Sequence, residues 1–109
     1  MREINNINDF QEIIKGEKPV LLDFYADWCG PCRALLPIVE SLAVKHESDF
    51  VIAKVNVDKN PELSQKFKVR SIPALFIIQD GEVKESVKGL QTEAALDAII
   101  HKYSTVTTH

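Results

Sequence analysis

Long apolar runs are missing from this sequence: no stretch approaches the roughly 18 residues of a membrane-spanning helix, so no membrane partner is expected. Basic runs are missing as well. Thirteen Lys and Arg stand against sixteen Asp and Glu, a formal net charge of −3, which leaves no electrostatic footprint for nucleic acid. The opening residues, Met1-Arg2-Glu3-Ile4-Asn5-Asn6, lack the charged and apolar regions of a secretory signal, and a cytoplasmic location is expected. His46, His101 and His109 are scattered without ligand spacing. A zinc or iron–sulfur centre usually takes about four ligands, so neither metal nor cofactor is expected. Cysteine is scarce, with two in 109 residues. That excludes a disulfide scaffold, and a chain of this length buries a core without staples. In a reducing compartment such a lone pair is more often catalytic than structural.

What is present gathers around Trp28-Cys29-Gly30-Pro31-Cys32, where the two cysteines sit three positions apart. If Cys29 lies at a helix start and Cys32 one turn in, their Cβ atoms are about 5–6 Å apart. A disulfide needs Cα atoms roughly 4.4–6.8 Å apart, so the pair closes and opens with little backbone movement. As a staple it is weak. The chain-entropy formula gives about 2 kcal/mol for a four-residue loop, against roughly 4.7 for a hundred-residue one. A bridge placed where it stabilises least is there to react. Pro31 suits a first helical position, where its missing N–H costs nothing. Cys29 then faces unsatisfied amides and the positive end of the helix dipole, which favours its thiolate and makes it the nucleophile. Cys32 is then the resolving thiol. Two buried free cysteines are the plain alternative, but a Gly-Pro insert beside Trp28 is not core filler.

Asn8-Asp9-Phe10-Gln11 reads as an N-cap followed by Gln three residues on, opening a short helix that stops at Gly16. The run from Val20 to Ala26 reads as a strand buried on both faces, delivering the chain to Trp28. Asp23 interrupts it. An exposed strand-end carboxylate is one reading; the apolar residues on either side favour burial, which raises a carboxyl pKa and suits proton exchange with Cys32. A helix after Pro31 carries Leu35, Leu36, Val39, Leu42 and Ala43 on one face, with a kink expected at Pro37. Residues 50–57 form a further strand, in which Lys54 is either simply exposed or reaches Asp23. Asn60-Pro61 starts a short helix running to about Phe67, with Asn60 as its cap. Residues 74–78 form a strand, and Asp80-Gly81 turns it into an antiparallel partner over 82–87. Thr92 caps a final helix. No linker, repeat or low-complexity segment divides the chain, so one domain spans 1–109, with 104–109 as a frayed tail. Taken alone, Ile72-Pro73 reads as an ordinary trans bond at a strand start, since cis is the minority form for X–Pro.

Asp23, the Trp28–Cys32 pentapeptide, Pro37, Lys54, Ile72-Pro73, Asp80-Gly81 and Gly89 occur in an order and spacing that resembles the thioredoxin family, from about Asn8 to Tyr103. The Gly-Pro insert separates it from disulfide isomerases, which typically carry Gly-His there, and from glutaredoxins with Pro-Tyr. The resemblance implies an α/β thioredoxin fold, a central mixed β-sheet flanked by helices on both faces. It implies a protein-disulfide reductase that works without a cofactor of its own. Cys29 and Cys32 would be the dithiol, Asp23 would assist proton transfer, and Lys54 would modulate Asp23. Trp28, Gly30, Pro31, Ile72, Pro73 and Gly89 would line the groove that receives protein disulfides, with Pro73 cis and Ile72 offering its backbone to an extended segment. A monomer recharged by a thioredoxin reductase, an NADPH-dependent flavoenzyme, is implied. Ala74, Arg33, Tyr25, Ser71 and Lys88 depart from the commonest family pattern, and Arg33 and Lys88 would favour acidic partners. Two other functions compete. A dithiol oxidant or isomerase would be separated by its redox potential, and a redox-independent binding subunit would tolerate loss of both cysteines.

Overall fold

A computed structural model places five strands and four helices along the chain and describes residues 1–104. Strand β1 spans Arg2–Ile4, helix α1 Ile7–Ile14, β2 Val20–Tyr25 and α2 Gly30–Lys45. Then come β3 Val51–Asn56, α3 Pro61–Lys66, β4 Ala74–Gln79, β5 Glu82–Lys88 and α4 Glu93–Tyr103. The strands lie in the order β1-β3-β2-β4-β5. β1 and β2 run parallel to β3, while β4 runs antiparallel to both β2 and β5. The sheet is therefore mixed, as expected.

The apolar run of β2 is explained by its place. It is the central strand, and Val20, Leu21, Leu22, Asp23 and Phe24 are all buried. Alternate residues feed opposite faces. Leu22 and Phe24 pack with Phe10 and Ile13 of α1 and Leu63 of α3. Leu21 packs with Leu35, Val39 and Leu42 of α2 and Leu96 and Ile100 of α4. Helices thus cover both faces. The Asp80-Gly81 turn has φ of 56° and 75° at its two residues, the backbone a tight hairpin with right-handed twist requires.

Four expectations need correction. β1 has no counterpart in the sequence reading: it is three residues long, too short to show a period, and exists through pairing with β3. Helix α1 is capped by Asn6 rather than Asn8, because the Asn6 side chain takes the Asp9 N–H at 3.0 Å while Asp9 accepts from the Asn5 N–H at 2.9 Å. Asn60 precedes Pro61 as expected but does not cap α3 with its side chain. Its amide instead donates to the carbonyls of Ile4 and Asn56, tying β1 to the end of β3. Ser104 is not frayed; it closes α4 and its hydroxyl donates to Asp49. The rest of the expected tail, 105–109, lies outside the described residues.

Candidate active site

β2 ends at Tyr25, and the short loop that follows sets Cys29 as the N-cap of α2, in extended backbone. Pro31 is the second helical residue, one place later than expected but still among the N–H groups that lack a helical partner. The Cys32 N–H points at Cys29 Sγ, at 3.2 Å. Helix geometry brings the two Cα atoms to 5.2 Å, and the sulfurs are bonded. Both residues are almost wholly covered, 5% and 3% exposed, packed against Ala26, Tyr25, Val57 and Ile72. Gly30 and Pro31 are exposed beside them, and a Cβ at Gly30 would meet nothing within 4 Å.

Around this pair lie several of the other residues singled out in the sequence. Trp28 is 68% exposed and its indole N–H donates to Asp58 at 2.9 Å. Asp58 is itself seated on the loop after β3, where its N–H is held by Asn56. The sequence reading missed Asp58, and thirty positions separate it from Trp28 with no motif to join them. The Ile72–Pro73 bond is cis, as the resemblance implies and against the reading of the dipeptide alone. The Ile72 carbonyl lies 3.9 Å from Cys29 Sγ. Gly89, at φ 82°, donates its N–H to the Pro73 carbonyl at 2.8 Å, which fixes the Ile-Pro loop to the end of β5. Ile72 and Trp28 share a shallow cleft with Val57, Val69 and Arg70. Arg33 folds back on the Asp27 carbonyl at 2.8 Å, while Ser71 and Lys88 are exposed.

Asp23 is buried, 1% exposed, and its Oδ1 has no hydrogen-bond partner. Burial pushes its carboxyl up to about 7, against the opposing pull of the Lys54 ammonium. Asp23 and Cys32 line the same cavity of about 340 Å³, together with Tyr25, Ala26, Asp27, Arg33 and Leu36. Lys54 is half-buried rather than simply exposed, and its ammonium pulls the Asp23 carboxyl down without reaching ion-pair distance. It pairs directly with Asp23 in the β2–β3 register, yet its Nζ sits 3.9 Å from a Glu3 oxygen and 5.5 Å from the centre of the Tyr25 ring. Half-buried, it is drawn towards β1.

His46 and His101 are brought together in space, while His109 lies outside the described residues. His46, at the C-terminal end of α2, meets Asp97 of α4 at 2.6 Å, and His101 lies 3.5 Å from the same carboxylate. One ligand atom from each lies within 4.8 Å of the others, so among the described residues these three have the types and spacing to hold a cation. Lys45 already occupies one Asp97 oxygen at 3.2 Å. Chain closure between helices creates this cluster, and linear spacing carries no trace of it.

Comparison with known proteins gives a consistent result. The family model described as Thioredoxin matches residues 2–102. The thioredoxin of Alicyclobacillus acidocaldarius is 43% identical over 90 residues, covering 83% of this chain and 86% of that one. The solved structure of a mutant thioredoxin from Halobacterium salinarum superposes with a TM-score of 0.88 at 39% identity, covering 98% of this chain and 93% of that one. A Mycobacterium leprae protein described as a bifunctional thioredoxin reductase/thioredoxin is 37% identical over 94 residues, which are 86% of this chain and 20% of that longer protein.

Proposed function

The chain belongs to the thioredoxin family, a thiol–disulfide oxidoreductase that reduces protein disulfides, and from that premise we propose the roles of its individual residues and partners. Cys29 is the attacking thiol. Its sulfur sits at the mouth of α2, 3.2 Å from the Cys32 N–H, a donor that with the helix dipole favours the thiolate once the disulfide is reduced. That placement is the observation that carries the assignment. The Cys29 thiolate attacks one sulfur of a substrate disulfide, breaking that bond and expelling a thiolate that takes up a proton. In the mixed disulfide that remains, Cys32 passes its proton to the Asp23 carboxylate across their shared cavity. The Cys32 thiolate then attacks Cys29 Sγ, breaking the mixed disulfide and expelling the second substrate sulfur as a thiolate, which takes up a proton from solvent as Asp23 gives its own back. Two electrons pass from dithiol to substrate, and Cys29–Cys32 is left oxidised. A carboxyl near 7 is available in both forms around neutrality, as a group that both accepts and returns a proton requires.

Trp28, Gly30, Pro31, Ile72, Pro73 and Gly89 form the receiving groove, with the Ile72 backbone beside the reacting sulfur as the edge for an extended segment. A separate thioredoxin reductase, an NADPH-dependent flavoenzyme, recharges the pair; the reductase/thioredoxin fusion among the relatives supports such a partner. The protein works as a monomer in the cytoplasm, where a dithiol is kept reduced. Among the described residues no helix is long and apolar enough to cross a membrane. Trapping tests the roles. Cys32→Ser accumulates mixed disulfides with an insulin substrate and Cys29→Ser accumulates none. Trapping by the Cys29→Ser variant overturns the assignment.

A further inference from the structure

Three charged residues lie side by side across the first three strands of the sheet. Glu3 of β1 is in register with Lys54 of β3, and Lys54 is in register with Asp23 of β2. Residues directly opposite one another share a sheet face, so all three point to the side covered by α2. A buried carboxylate opposite a lysine ordinarily forms an ion pair with it. Here the ammonium goes the other way. Its carboxylate contact is Glu3, at 3.9 Å, whereas Asp23 Oδ1 stays buried and without a hydrogen bond. Tyr25 completes the arrangement, since its hydroxyl donates to the second Glu3 oxygen at 2.6 Å and its ring lies under the Lys54 ammonium. Tyr25 does both at once, its ring carrying the cation and its hydroxyl fastening the carboxylate.

We propose that Glu3 is a positioning residue for the redox reaction: with the Tyr25 hydroxyl it holds the Lys54 ammonium beyond ion-pair distance of Asp23, so that the buried carboxyl feels the cation only weakly. Glu3 touches neither sulfur nor substrate. It acts through Lys54, and its consequence for turnover rests on the proton-transfer role proposed for Asp23 above. Other ionisable groups facing the cavity are Tyr25, Asp27, Arg33 and Cys32. Arg33 is turned to the Asp27 carbonyl, and Cys32 does not titrate while disulfide-bonded.

Carboxyl-carbon NMR of the oxidised protein reads the Asp23 titration directly, with both sulfurs silent. Removing the Glu3 charge both frees Lys54 and deletes a negative neighbour, so both effects favour the Asp23 carboxylate. In Glu3→Gln the Asp23 midpoint falls by about one pH unit, a tenfold change in its ionisation ratio. Tyr25→Phe gives a smaller fall, and Lys54→Met gives a rise. An unchanged midpoint in Glu3→Gln, with the folded amide spectrum retained, overturns the proposal. The pH profile of insulin reduction by the same variants tests the other half. A profile that moves with the midpoint supports both readings. A midpoint that falls under an unmoved profile keeps Glu3 as the group that sets the Asp23 titration, but removes Asp23, and Glu3 with it, from the rate.

Discussion

Two aspartates mark the two ends of α2 and have opposite fates. Asp23 lies beside the N-terminal end, buried, with one oxygen unpartnered and its carboxyl pushed up to about 7 by burial. Asp97 lies against the C-terminal end, about 24 Å away by helical rise, where it meets His46 at 2.6 Å and Lys45 at 3.2 Å. The hydrogen bond from His46 is the first cause, and that from Lys45 a further one, holding its carboxyl below the usual range. The same side chain is thus a paired tie at one end and a buried, unpaired carboxyl at the other. The difference lies in what the neighbours supply. At the Asp97 end every charge has a partner, so the carboxylate is worth keeping ionised. At the Asp23 end burial outweighs the pull of the Lys54 ammonium, which does not pair with the carboxylate, so ionisation is penalised.

The largest effect expected of this contrast is at Asp23. A carboxyl whose folded value is about 7 against 3.8 penalises the fold increasingly as pH rises from the unfolded value to the folded one, and by a constant amount above that. Asn, which resembles the protonated form, escapes the penalty. Asp23→Asn is therefore more stable than the parent by a few kcal/mol at pH 8 (about 1.4 per pKa unit as an upper bound). The gap closes as pH falls towards about 4. Urea unfolding midpoints across that range measure it. Coincident midpoints at every pH would remove the buried charge from the picture and with it half of the comparison.

Asp97→Asn runs the other way and is smaller. A lowered folded value means that its stabilisation is present above the usual carboxylate pKa and is lost as pH falls through the folded value. The substitution costs about 1–2 kcal/mol near neutrality, the lower part of the roughly 1.5–3 kcal/mol of a hydrogen bond to a charged group or just below it, because Asp97 is partly screened by water, and costs little in acid. Should the cost persist undiminished at pH 3, packing rather than charge holds the α2–α4 end together.

The two ends also differ in how much of them could be read from residues alone. The active-site end is local: the pentapeptide, the buried run of β2 before it and the helix after it are contiguous, so turn chemistry and periodicity place Cys29, Cys32 and Asp23 together. Burial of Asp23 followed from its apolar neighbours. The direction of Lys54 did not, because it depends on Glu3, and Glu3 matters only once β1 pairs with β3. Asp58 reaches Trp28 from thirty residues away, and His46 reaches Asp97 from fifty-one. Those contacts arise from closure of the sheet and packing of helices, which leave no period or spacing behind. The cis form of Ile72–Pro73 likewise needed the family, since the dipeptide carries no mark of it.

The smallest effect separates the members of the Asp97 cluster. His46 is buried and joins Asp97 to a different helix, with Asp49 3.9 Å from its other ring nitrogen. His101 sits one turn along α4 from Asp97, 64% exposed, at 3.5 Å. Even a fully ionic pair at that exposed helical spacing is worth only about 0.3–0.5 kcal/mol, because water screens it and the side chain gives up rotamer freedom to make it. His101→Ala therefore shifts the urea midpoint barely beyond error, and the shift shrinks further in high salt. Its ring also stands edge-on to His46 with centres 5.4 Å apart. A loss comparable to that of Asp97→Asn would mean that His101 holds His46 in place, and the tie would then be a three-member unit rather than a single buried pair.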